Sequence, residues 1–267
     1  MNKTKRFYIA AVIFALLTFM LAFPVAGTDE AVTNDILVVA AAPEDVATEE
    51  EVFEGNAIGK ALDKTFYKMD YAIFTAFSKI QNDILTPIVN AVTHLGDTEF
   101  AIPMIVLGLI LSLFKKTRKV GLTLFLAIII GTLFTNVVLK NVCGRARPYV
   151  TLSGDADFMS WYTRAGANIE SDNSFPSGHT TCAFEIGIAL MLTIRKNAVR
   201  WIFPVYSVVI MCTRLYLMVH YSSDVFAGVI VGTCAGIIAY FIVKKLLQNE
   251  KFANSDIRNI SKKKAAK

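Results

Sequence analysis

Charge is scarce in this 267-residue chain: 18% of the residues are Asp, Glu, Lys or Arg, against 54% that are hydrophobic. That balance excludes an ordinary soluble domain and points to a polytopic membrane protein. Cysteine is sparse too, with only Cys143, Cys182, Cys212 and Cys234, and no two of them form a C-x-x-C pair. A zinc site of that type is excluded, and so is a secreted-type disulfide framework, since Cys212 and Cys234 lie inside apolar runs. Cys143 and Cys182 fall where they can approach each other at one face; packing is the expectation for all four. The formal net charge is +5. Nucleic acid is not the expected partner, because the basic residues sit in short clusters between apolar runs, the pattern of membrane topology.

Six apolar runs are of spanning length or near it, at 7–26, 98–114, 118–139, 180–194, 200–219 and 224–247. A crossing helix takes about 20 residues, so the shorter runs need tilt or neighbours. Only helix satisfies the backbone of such runs in lipid, and the expected fold is an all-α membrane bundle of about six helices. Lys3, Lys5 and Arg6, the 115–119 cluster, Arg195 with Arg200, and Lys262 to Lys264 fall on alternate connections. They put those ends in the cytoplasm. Residues 28–97 carry 13 acidic and four basic residues and fall on the other side.

Four regions are expected. Residues 1–27 form a first span or signal anchor. Their apolar run is longer than the core of a signal peptide, so a retained helix is expected despite the Val25-Ala26-Gly27 end. Residues 28–59 read as an acidic linker. Residues 60–247 hold the membrane domain, and 248–267 a basic cytoplasmic tail. Within 60–94, Phe66, Ile73, Phe77, Ile80, Ile84 and Ile88 recur at helical spacing beside Asp63, Lys64, Asp70, Lys79 and Asp83. Two readings stay open: an amphipathic helix on the outer membrane surface, broken near Pro87, or a helix packed on the bundle. Gly228, Gly232 and Gly236 step along the last span at intervals that permit close helix approach.

Three short stretches carry the chemistry, each at the outer end of an apolar run. Lys140 and Arg147 form the first, with Pro148 stiffening the turn; together with Arg214 they supply three cations for phosphate oxygens. Pro176-Ser177-Gly178-His179 leads directly into the fourth run, where free N–H groups favour an anion, Gly178 allows close approach and Ser177 adds a hydroxyl donor. His179 is placed to protonate a leaving oxygen. His220 and Asp224 lie four residues apart, and a carboxylate beside a histidine fixes its tautomer and raises its basicity. His220 can then attack phosphorus and form a phosphohistidine. His94, with no such company, reads as interfacial packing.

These residues resemble the signatures of the type 2 phosphatidic acid phosphatase family, whose fold is related to the vanadium haloperoxidases. Lys140 to Pro148 fits K-x-x-x-x-x-x-R-P, Pro176 to His179 fits P-S-G-H, and Arg214, His220 and Asp224 fit S-R-x-x-x-x-x-H-x-x-x-D, with Thr213 in place of the leading Ser. The resemblance covers roughly 60–247. It implies His220 as nucleophile, His179 as general acid, Asp224 as the partner of His220, and Lys140, Arg147, Ser177, Gly178 and Arg214 as phosphate binders. It also implies metal-independent hydrolysis without a cofactor, which agrees with the lack of a carboxylate cluster for Mg²⁺. The substrate expected is a lipid phosphate or polyprenyl diphosphate in the outer leaflet of the cell membrane, with phosphatidate and phosphatidylglycerophosphate among the candidates.

Tyr149, Trp161, Tyr162 and Arg164 lie in the 149–178 stretch and are expected to grip a headgroup. Glu185 falls outside the family pattern, six residues beyond His179 in the fourth run. A rise of 1.5 Å per residue puts it at the depth of Arg214. It is expected either to pair with Arg214 or to stay protonated within the bundle. The rival functions are a phosphotransferase using the same phosphohistidine step and a non-catalytic membrane lipid binder. A soluble haloperoxidase is disfavoured by the apolar runs. The sequence does not fix an oligomeric state.

Overall fold

The computed structural model describes residues 55–194 and 198–254, and every regular element among them is helical. The expected first span at 7–26, nearly all of the acidic linker and the end of the tail lie outside these residues. The main helices are α1 (Ala57–Ser78), α2 (Leu85–Thr93), α3 (Thr98–Ser112), α4 (Arg118–Leu133), α5 (Ala156–Arg164), α6 (Gly178–Thr193), α7 (Ile202–Tyr216) and α8 (Ser222–Leu246). A π-helical stretch, Phe134–Leu139, carries α4 onward into the single turn Lys140–Cys143.

Three helical stretches among the described residues are long and apolar enough to cross a membrane: Arg118–Thr151, Ala198–Tyr216 and Ser222–Leu246. A fourth is added if Leu85–Gly96 and Glu99–Ser112, bent by 41° at their junction, are one span. The expected run at 180–194 is the 16-residue helix α6. At 1.5 Å per residue α6 is about 24 Å long, short of a bilayer core of about 30 Å. Its role is different from that of a lipid-facing span. Residues Thr180 through Leu190 are all buried, and α6 packs against α8, α4 and α7 as the axis of the bundle.

The small residues of α8 make that packing close. A Cβ at Gly232 would sit 2.4 Å from the Thr181 carbonyl, and one at Gly228 would sit 2.8 Å from the Ser177 carbonyl. Outward faces are apolar instead: Ile102 and Val106 on α3, Val205 on α7, and Ile230 and Phe241 on α8 are exposed. Apolar exteriors around a tightly packed interior suit helices solvated by lipid.

Helix α1 packs against α7 and α8. Asn56 caps it by accepting from the N–H groups of Ile58 at 2.9 Å and Gly59 at 3.0 Å. Phe74 is buried against Phe158 and Tyr221, with ring centroids 5.0 and 5.9 Å away. The polar face is turned inward as well: Asp70 is buried, while Phe66, Tyr67 and Met69 are exposed. The break falls before Pro87, not at it. Asn82 Oδ1 accepts from the N–H groups of Ile84 and Leu85 where α2 begins, and Pro87 sits in the first turn of α2.

Candidate active site

The three motifs converge on one cavity of about 320 Å³, lined by Lys140, Arg147, Gly178, His179 and His220 together with Asp97, Glu170 and Asp172. Each motif arrives through a local device. After Lys140 the chain turns at Gly144, whose φ of +46° is left-handed, and Arg147 then precedes Pro148 at the first position of a short helix. Arg147 is locked from behind. Its Nη1 donates to the Val219 carbonyl at 2.8 Å, and its Nε donates to the Asp172 carbonyl at 2.9 Å.

Ser177 is the N-cap of α6 and accepts from the Thr180 N–H and hydroxyl, the latter at 3.0 Å. It is fully buried and does not line the cavity, so the structure places it as a brace for the helix start. Its N–H donates to the Asp224 carbonyl at 3.1 Å, stitching the second motif to the third. Gly178 faces the cavity: a Cβ there would point toward Lys140 Nζ, 3.7 Å away.

His220 is 1% exposed. Its Nε2 lies 3.0 Å from Arg147 Nη1, and its Nδ1 lies 3.6 Å from Asp224 Oδ2. A guanidinium has no acceptor, so Nε2 carries the lone pair and Nδ1 the proton, aimed at the carboxylate. Burial first, and then Arg147, Arg214 and Lys140, hold His220 well below the usual imidazole range. Asp224 also accepts from Ser174 Oγ at 2.5 Å, from Arg145 Nη1 at 2.6 Å and from the Tyr221 N–H at 3.1 Å.

His179 Nε2 pairs with Asp97. The other Asp97 oxygen meets His94 Nδ1 at 2.6 Å. Burial pushes the Asp97 carboxyl up, but the hydrogen bonds from His179 and His94 outweigh it and hold it well below the carboxylate range. His94 is therefore part of a chain leading to His179, in contrast to the interfacial packing expected for it.

Arg214 does not line the cavity. Its Nη2 pairs with Glu170 and its Nη1 donates to Thr93 at 2.9 Å, so the expected pairing with Glu185 is overturned. Equal depth was not enough: α7 turns Arg214 toward α2 and the 149–177 segment. Glu185 faces α4, where Thr132 Oγ1 donates to it at 3.1 Å, and Gly131 leaves the room it occupies. The aromatic residues expected to grip a headgroup form a core instead. Tyr149 stacks on Tyr162 at 5.0 Å, Trp161 packs on that same cluster, and none of Tyr149, Trp161, Tyr162 or Arg164 lines the cavity.

Sequence reasoning passed over five residues: Asp97, Arg145, Glu170, Asp172 and Ser174. The acids Glu170 and Asp172 hold the cations. Asp172 pairs with Lys140 and Arg147, and Glu170 with Arg214. Burial raises both carboxyls, yet the neighbouring cations more than offset it and keep them below their ordinary values. All four cysteines are free. Among the described residues no group of His, Cys, Asp or Glu is arranged to hold a metal ion.

Residues 121–248 match the PAP2 superfamily. The chain is 32% identical over 186 residues to phosphatidylglycerophosphatase B of Bacillus subtilis, covering 66% of this chain and 81% of that protein. It is 31% identical over 125 residues to the undecaprenyl-diphosphatase of Sulfolobus acidocaldarius, covering 46% and 55%. The fold is similar to the crystal structure of a transmembrane PAP2-type phosphatidylglycerolphosphate phosphatase from Bacillus subtilis, with a TM-score of 0.53, 27% identity, and coverage of 72% of this chain and 90% of that one. With helices of membrane-spanning length and an aligned set of three motifs around one cavity, the chain is a membrane protein and belongs to the PAP2 superfamily.

Proposed function

We propose that this protein hydrolyses a lipid phosphate monoester or polyprenyl diphosphate through a phosphohistidine on His220, without a metal. One observation carries the reading. The unprotonated Nε2 of His220, the imidazole of His179 and the cations Lys140 and Arg147 meet at a single cavity of about 320 Å³. That volume suits one polar headgroup.

In the first step the substrate phosphate takes the place of Asp172 on Lys140 and Arg147. His220 Nε2 attacks the terminal phosphorus, an N–P bond forms and the P–O bond to the leaving group breaks, releasing the lipid alcohol from a monoester or the lipid monophosphate from a diphosphate. His179 gives its proton to the departing oxygen. The positive charge that grows on the ring of His220 is met by Asp224 at Nδ1. In the second step His179, now neutral, takes a proton from water as that water attacks phosphorus. The N–P bond breaks, and inorganic phosphate leaves. Gly178 and the N-terminus of α6 stabilise the equatorial oxygens throughout.

The basic clusters fall on the opposite connections, which supports a site at the extracytoplasmic surface. In that topology the helices α3, α4, α6, α7 and α8 cross the membrane, and the lipid tail lies in the outer leaflet. The names of the relatives include a phosphatidylglycerophosphatase and an undecaprenyl-diphosphatase, which supports a lipid substrate. The test is phosphate release by purified protein from a panel of lipid phosphates with EDTA present: release that is lost in His220→Ala supports the reading, and no release from any lipid counts against it.

A further inference from the structure

Arg145 is, with Arg214, the largest fully buried side chain among the described residues, at 0% exposure, and it reaches no wall of the cavity. Four of its five N–H groups meet side-chain oxygens. Nε donates to Asp63 Oδ1 at 2.7 Å, Nη1 to Asp224 Oδ1 at 2.6 Å and to Ser223 Oγ at 2.7 Å, and Nη2 to Asp70 Oδ2 at 3.1 Å. The guanidinium lies 3.7 Å over the ring of Tyr221. Resting on the phosphatase reading above, we propose that Arg145 is a positioning residue. It holds Asp224 as a carboxylate aimed at His220, and Asp63 and Asp70 of α1 hold Arg145.

The argument is one of buried charge. Asp224 is fully buried, and a buried carboxylate without a cation takes up a proton instead of staying ionised. Once protonated it is a poor counter-charge for a phosphorylated imidazole. Arg145 is the cation that meets this need, and it binds only Oδ1. That leaves Oδ2 turned to His220 Nδ1 and Ser174. A single guanidinium among three carboxylates needs further compensation, and the fold supplies it. Asp70 accepts from Ser222 Oγ at 2.6 Å, from Ser223 Oγ at 2.8 Å and from the Ser223 N–H at 2.8 Å, so it sits on the positive N-terminus of α8. Asp63 is partly open to solvent.

The backbone is built for this contact too. A Cβ at Gly59 would lie 2.7 Å from the Arg145 Cα, so only glycine lets α1 come so near. Asn56 then anchors the start of α1 to the same segment, donating from its N–H to the Gly144 carbonyl at 2.8 Å. Helix α1 is thereby a brace for the catalytic pair, which explains why its acidic residues face inward.

The test is a double-mutant cycle on purified full-length protein, with phosphatidylglycerophosphate and undecaprenyl diphosphate as substrates and vanadate inhibition as the probe of the anion pocket. In Arg145→Gln, kcat is expected to fall about 10- to 100-fold, as for other orienting partners, with KM and vanadate inhibition within about threefold of wild type. Arg145→Lys recovers part of the loss. In an Asp224→Asn background, Arg145→Gln costs less than about threefold more, because its target is already gone. Losses that simply multiply, or a parallel loss of vanadate inhibition, overturn the proposal. Should Arg145→Gln not fold, Asp63→Asn carries the same cycle, with a kcat loss that must vanish in Asp224→Asn. If wild-type protein hydrolyses neither substrate, the phosphatase reading and this inference fall together. If it does and the cycle is multiplicative, only the inference falls.

Discussion

Asp172 holds Arg147 twice, through its carboxylate on Nη2 and its backbone carbonyl on Nε at 2.9 Å. The backbone bond fixes the direction of the guanidinium, and the carboxylate takes the place that the account gives to substrate phosphate. The side chain of Asp172 is 49% exposed, so its pairing is worth only about 1 kcal/mol. Asp172→Asn keeps the backbone bond and removes a competing charge. The expected result is a KM lowered about two- to fivefold with kcat little changed, read from initial rates on a lipid phosphate. A raised KM would show that the carboxylate recruits substrate.

The environment of His220 gives a pH prediction. Its pKa in the folded protein lies below the unfolded imidazole value near 6.5, because burial and three cations disfavour its charged form. The neutral form of His220 therefore persists to lower pH than that of an exposed histidine. The chain has three histidines, so ¹⁵N-histidine spectra of detergent-solubilised protein, assigned with His220→Ala, can follow it. A protonation midpoint at or above 6.5 would contradict the account.

Asp97 stands to His179 as Asp224 stands to His220, and it separates leaving-group protonation from the rest of the chemistry. Asp97→Asn is expected to lower kcat/KM for a lipid substrate about 10- to 100-fold. For an aryl phosphate, whose leaving oxygen needs no proton, the loss is expected to be smaller, since kcat/KM reports the first chemical step. Equal losses on both substrates would remove Asp97 from that step.

Lys140, Arg147, Gly178, His179 and His220, which the structure brings to one cavity, were legible in the sequence because their spacing encodes their geometry. His220 and Asp224 lie four apart across the start of α8, and Ser177 and Gly178 open α6. Lys140 and Arg147 flank the left-handed turn at Gly144. Their supports were not legible. Glu170 and Asp172 reach the cations from the irregular 165–177 segment, where no period announces which way a side chain turns. Arg145 is two residues from Arg147, yet its partners are 75 to 82 positions away on α1 and 79 away on α8. Helix α1 was visible by its spacing, but the rule that apolar residues face inward holds for Phe74 and Phe77 and not for Phe66, because buried Arg145 draws Asp63 and Asp70 to the inner face. Depth arithmetic likewise placed Glu185 level with Arg214 but carried no information on helix rotation.

The most direct measurement is a trap of the covalent intermediate. Purified protein is mixed with ³²P-labelled lipid phosphate or polyprenyl diphosphate in EDTA, quenched in alkali, where phosphohistidine survives, and mapped by peptide mass spectrometry. The account predicts one labelled peptide, with phosphate on His220 and none in His220→Ala. Phosphate release by the wild-type enzyme with no label on His220, or release that persists in His220→Ala, would contradict it.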